Sequence, residues 1–137
     1  MEDVVELTDL NYESFLEETD SVVFIDFYSE LCWPCQTLLK HLPRLAQYYK
    51  NEKVVIAKVN ATYNRKMAKE YNLRTVPMTI VIGKDKTLKK SVTGLRGRHY
   101  YCKMIDNELR QRKGFIGNLF GVLKLCNPLF WIGLLKR

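Results

Sequence analysis

Apolar residues change rhythm several times along the chain. Val22–Tyr28 is a near-continuous apolar run broken only by Asp26, the pattern of a strand covered on both faces by helices, and it predicts the central strand. Over residues 33–49 the spacing turns helical, with Leu38, Leu42, Leu45 and Tyr49 falling on one face. Pro43 sits inside that stretch. Its missing N–H and its clash with the preceding turn predict a kink in one helix, not two separate helices. Residues 54–59 read as a second buried strand and 64–71 as a short helix. Residues 78–82 and 88–93 read as strands of a hairpin across Gly83-Lys84-Asp85-Lys86. A first helix ends near Glu18, capped by Thr8 and Asp9, with Tyr12, Phe15 and Leu16 on its apolar face. A last helix over residues 97–111 turns Tyr101, Met104, Ile105 and Leu109 inward. Parallel strands need helical crossovers, and only the last two strands are close enough for a hairpin. The fold class is therefore α/β, a mixed central sheet with helices on both faces.

Composition adds bounds to this picture. A chain of 137 residues, 47% hydrophobic and 27% charged, can bury a core of its own without disulfide staples or structural metal. The division expected is a domain over 1–111 and an apolar, basic extension over 112–137. A net charge of +7 would suggest nucleic acid if it were spread evenly. It is not: no acidic residue follows Glu108, six basic ones do, and the rest of the chain is nearly balanced. No nucleic-acid partner is expected. There is no Lys or Arg before Lys40, so the domain is electrically lopsided, a matter of partner steering. The acidic N-terminus has neither a basic start nor an apolar run and does not read as a secretory signal, which makes the cytosol the expected compartment. Four cysteines in that setting read as catalytic or spare thiols.

Two of them, Cys32 and Cys35, form a C-x-x-C pair where a buried strand meets a helix. Free N–H groups and the positive end of the helix dipole favour a thiolate at Cys32, the species that attacks disulfides. Cys35, one turn on, is within disulfide reach and can resolve a mixed disulfide. Asp26 is a lone carboxylate in the strand leading to the pair. Burial would raise its proton affinity and suit it to exchange a proton with a cysteine; the alternative is a satisfied structural carboxylate at a strand end. Lys58, on the next strand, either tunes that carboxylate or faces solvent. Val76-Pro77 stands just before a hairpin strand, a setting that suits a cis bond, although sequence leaves the isomer open.

The residues Asp26-Phe27-Tyr28-Ser29-Glu30-Leu31-Cys32-Trp33-Pro34-Cys35, then Lys58, Thr75-Val76-Pro77, Gly83 and Gly94, resemble the thioredoxin family in order and spacing over residues 3–110. The resemblance implies a central sheet with four flanking helices, Cys32 as nucleophile, Cys35 as resolving thiol and Asp26 as the buried proton-transfer group. It further implies that Val76 and a cis Pro77 border the motif and pair with substrate backbone, with Gly94 completing the groove and Trp33 and Pro34 forming part of the surface offered to substrate. The expected activity is thiol-disulfide exchange that reduces protein disulfides, with no cofactor beyond the Cys32–Cys35 pair and with a dithiol reductase as electron donor. Three departures stand out. Leu31 replaces the usual Trp before the first cysteine, Trp33 replaces the usual Gly between the cysteines, and Pro43 lies eight residues after Cys35 instead of five.

Other readings compete. A binding or membrane-tethered adaptor could keep the fold without turnover, and an oxidase or isomerase poise uses the same exchange steps. Zinc would need four ligands, and one C-x-x-C with His41 and His99 does not supply a convincing set; no metal is expected. Cys102 and Cys126 read as buried or spare thiols. The stretch over 115–135 is apolar but interrupted by Asn118, Lys124, Asn127 and Pro128, a poor transmembrane span. It reads as an extra helix packed on the domain or in a self-association interface, or, with its basic flanks, as an interfacial segment on a membrane surface; the protein is expected in the cytosol, and peripheral to a membrane on the last of these readings.

Overall fold

The computed structural model describes residues 3–113. The expected membrane or self-association stretch and Cys126 lie outside them. Nine elements follow in chain order: β1 (Val5–Glu6), α1 (Tyr12–Glu18), β2 (Val22–Tyr28), α2 (Trp33–Tyr48), β3 (Val54–Asn60), α3 (Arg65–Glu70), β4 (Met78–Ile82), β5 (Leu88–Thr93) and α4 (Arg98–Lys113). The strands form one sheet in the order β1-β3-β2-β4-β5. β1, β3 and β2 run parallel, while β4 and β5 are antiparallel additions. The apolar run of β2 earns its central place, since every residue from Val22 to Phe27 is buried.

Side chains alternate across a strand, so β2 serves two faces. Val23, Ile25 and Phe27 join Tyr12 of α1, Met67 of α3 and the inward residues of β3 and β4 in one apolar core, with Phe15, Leu16 and Tyr71 packed on its margin. Val22, Phe24 and Asp26 point the other way, to the side where α2 packs over β2 and β3 with Leu38, Leu42 and Leu45 buried. Asp26 thus projects beneath the helix that begins at the cysteine pair.

Pro43 lies within a single helix, as its spacing implied. β1 is an addition to the expected elements. Its two residues are too few to show alternation, and it exists because Val5 and Glu6 pair with Ala57 and Lys58 of β3.

The cap expected for α1 is a correction. Asn11, not Thr8 or Asp9, occupies the N-cap position, and its side chain makes no capping bond. Asp9 instead reaches across the fold to α3: its carboxylate accepts the backbone N–H of Lys66 at 3.0 Å and of Met67 at 2.9 Å, while its own N–H donates to Asn64 Oδ1 at 2.8 Å. The first free N–H groups of α3 are satisfied by a residue 57 and 58 positions away, which local sequence could not reveal.

The chain divides into two compact units between Leu95 and Arg96. In the second, α4 buries Tyr101, Cys102, Met104, Ile105 and Leu109, and the Tyr101 hydroxyl accepts the N–H of Arg96 at 2.8 Å. Cys102 is buried and takes no part in a disulfide, and His99 is exposed.

Candidate active site

The turn from β2 into α2 carries the chemistry. Cys32 is the N-cap residue of α2 with extended backbone, and Pro34 occupies the first turn, where its missing N–H costs nothing and its fixed φ suits a helix start. Cys35 is fully buried one turn on. The two sulfurs are joined as a disulfide, with their Cα atoms 5.2 Å apart. Cys32 Sγ accepts the backbone N–H of Cys35 at 3.3 Å, so the sulfur sits where the helix leaves donors free and where its dipole favours negative charge. These are conditions that favour a thiolate at Cys32 once the bond is cut.

Val76 and Pro77 come to this sulfur from the other side. Their bond is cis, and the Val76 carbonyl lies 3.7 Å from Cys32 Sγ. Pro77 O accepts the N–H of Gly94 at 2.8 Å. Gly94 has φ +85°, a conformation that residues with a Cβ rarely adopt. The motif, Val76-Pro77 and Gly94 are therefore linked by direct contacts. Trp33 is 78% exposed and Leu31 fully exposed, an apolar surface flanking the disulfide.

Asp26 is buried, and neither carboxylate oxygen has a hydrogen-bond partner among the described residues. Desolvation pushes its pKa up to about 8, against a downward pull from the Lys58 ammonium. Among the described residues nothing satisfies this carboxylate. Lys58 is the in-register neighbour of Asp26 on β3, and it is partly buried, with Nζ 3.7 Å from Glu6 Oε2. Glu6 Oε1 in turn accepts the Tyr28 hydroxyl at 3.1 Å.

On its other side Asp26 faces Thr79 of β4, buried and with Oγ1 unpartnered among the described residues. Lys58, Asp26 and Thr79 make a polar row across three strands. Glu6 and Thr79 are the members that sequence reasoning missed. Thr79 is a polar interruption in an apolar strand, the same signal that exposed Asp26. Glu6 becomes visible only through the pairing of β1.

Among the described residues no three metal-ligating side chains converge, and no helix is long and apolar enough to cross a membrane.

The thioredoxin family model matches residues 3–107. Thioredoxin of Chlorobaculum thiosulfatiphilum is 31% identical over 104 residues, covering 76% of this chain and 94% of its own. Thioredoxin of Rickettsia typhi is 31% identical over 103 residues, 75% of this chain and 96% of its own. Thioredoxin C-3 of Corynebacterium nephridii is 27% identical over 110 residues, 80% and 74% of the two chains. A chain solved in work on thiol resolving in yeast mitochondrial 1-Cys peroxiredoxin via glutathione/thioredoxin systems has a similar fold, with a TM-score of 0.65 at 24% identity over 75% of this chain and 94% of that one.

Proposed function

We propose, from the premise that the chain belongs to the thioredoxin family and is a thiol-disulfide oxidoreductase, that it runs in the reducing direction on protein disulfides. In the reduced protein Cys32 attacks one sulfur of a substrate disulfide, forms a mixed disulfide and expels the other substrate sulfur as a thiolate that takes up a proton. Cys35 passes its proton to Asp26 in its ionised form, a minority of the population at neutral pH with the pKa near 8, and attacks Cys32 Sγ, which expels the second substrate sulfur as a thiolate that takes up a proton. Two electrons have moved to substrate, and the Cys32–Cys35 disulfide of this structure is the product form. A dithiol reductase then restores the pair.

Buried Asp26 is the observation that carries turnover at the pair. Its carboxyl, with no hydrogen bond among the described residues to stabilise its anion, has its pKa pushed up to about 8, near enough to neutrality for it to take and return a proton during exchange. The reducing direction is the part of the proposal that equilibration with glutathione decides. The cis Pro77 and Val76 beside Cys32 support a role in holding substrate backbone.

Insulin reduction driven by dithiothreitol tests turnover: the natural chain should accelerate it, and Cys32→Ser should abolish the acceleration. Equilibration with glutathione tests direction. The pair should be oxidised almost completely by glutathione disulfide; a pair that stays largely reduced in that buffer would point to an oxidase or isomerase, and absence of turnover in both variants to an adaptor.

A further inference from the structure

Beside the disulfide lies an open cavity of about 560 Å³ whose wall carries Arg65, Lys69 and Arg74 and no acidic residue. Its edge is shared with the redox site. Ser29 and Val76 both line it, and both touch Cys32: the Ser29 carbonyl accepts the Cys32 N–H at 3.3 Å, and the Val76 carbonyl faces Cys32 Sγ. Anything seated in the cavity is a neighbour of the reacting sulfur.

The three cations have no hydrogen bond or ion pair among the described residues. Acids near α3 are engaged elsewhere. Asp9 accepts the backbone N–H groups of Lys66 and Met67, Glu13 pairs with Lys66 at 2.8 Å, and Glu70 lies toward the Tyr12 hydroxyl, whose pKa it helps to raise. Arg65 and Lys69 stand one helical turn apart, an arrangement of like charges that is unfavourable unless an anion lies between them. Charge on this helix is therefore sorted. Lys66 is neutralised within the fold, whereas Arg65 and Lys69 join Arg74 around a concavity left without a counter-charge.

We propose that this cavity docks a carboxylate-bearing segment of the disulfide substrate, an acidic stretch of peptide flanking the cysteine under attack. The inference rests on the reading that the pair acts on protein disulfides and adds the class of substrate preferred. Acidic flanks are held by Arg65, Lys69 and Arg74 while the disulfide lies against Cys32, so the cations act on substrate affinity and leave the exchange step untouched.

Two disulfide peptides that differ only in having Glu or Gln beside the cysteine test this on the full chain, by kcat and KM in turnover and by fluorescence anisotropy of labelled peptide on the oxidised protein. The Glu peptide should show a KM about tenfold lower at equal kcat, a preference that fades as salt is raised. In the double variant Lys69→Gln, Arg74→Gln the ratio should fall below about twofold. The hairpin control Lys84→Gln, Lys90→Gln, which removes as much charge outside the cavity, should keep it. Equal KM for the two peptides on the natural chain, or a preference lost equally in the hairpin control, would overturn the docking site. Preferential binding of the Glu peptide without turnover of either would instead defeat the reductase reading and leave the docking site standing.

Discussion

Truncating Asp26 to alanine should reverse its effect on stability as the pH rises. The carboxyl group has no accessible surface, and burial lifts its pKa from an ordinary 3.8 to about 8, with Lys58 opposing. In acid, below about pH 4, the group is protonated in both the folded and the unfolded chain and contributes no pH dependence. From about pH 4 to 8 the unfolded chain releases the proton and the folded chain keeps it. The folded state then binds more protons, so the unfolding free energy falls as pH rises; above about 8 both states are ionised and the loss levels off. At neutral pH roughly three units of this window have been crossed, and at about 1.4 kcal/mol per unit the accumulated loss is about 4 kcal/mol. Alanine removes that loss, offset by about 1–2 kcal/mol of packing around the missing carboxyl. Asp26→Ala should therefore be less stable than the natural chain at about pH 3 and more stable by about 2–3 kcal/mol at about pH 7. Urea unfolding of both oxidised chains at about pH 3, 5, 7 and 9 measures this directly. A difference that is the same at every pH would mean that the carboxyl ionises as it does in water, and the proton-transfer role assigned to it would fall with that result.

Three further outcomes are expected. Glu6→Gln removes the carboxylate that faces Lys58, leaving the ammonium to act more strongly on Asp26; the Asp26 pKa, followed by carbon NMR of its carboxyl, should move down, and an unmoved or raised value would refute the coupling. Asp9→Ala uncaps α3 and should cost about 1 kcal/mol in urea unfolding, whereas a neutral result would show that solvent serves those N–H groups equally well. Gly94→Ala forces a Cβ onto φ +85° and should destabilise by about 1–2 kcal/mol even though nothing lies within 4 Å of the added carbon, so a substitution without cost would refute the backbone reason for glycine here.

Much of this was legible because burial writes itself into period. β2, α2 and β4 follow from apolar spacing and β5 from the turn that precedes it, and Cys32, Cys35 and Asp26 stand out as chemistry-bearing residues against that background. The buried state of Asp26 was readable from its apolar neighbours. Its lack of a hydrogen bond was not, since that depends on what β3 and β4 bring beside it and on Thr79 Oγ1 making no bond to it. The same holds for Asp9, which looked like a cap for the helix that follows it and serves one half a chain away. Glu6 and the cavity wall of Arg65, Lys69 and Arg74 are products of strand pairing and helix placement. Local rhythm carries no record of them.

The bridge between Cys32 and Cys35 spans a sequence separation of three. Tying so short a loop removes little freedom from the disordered chain, because the entropy lost on closure grows with the length enclosed. Oxidation should for that reason add only about 2 kcal/mol to the stability of the fold, the low end for a bridge, and what holds the chain together lies in its apolar core.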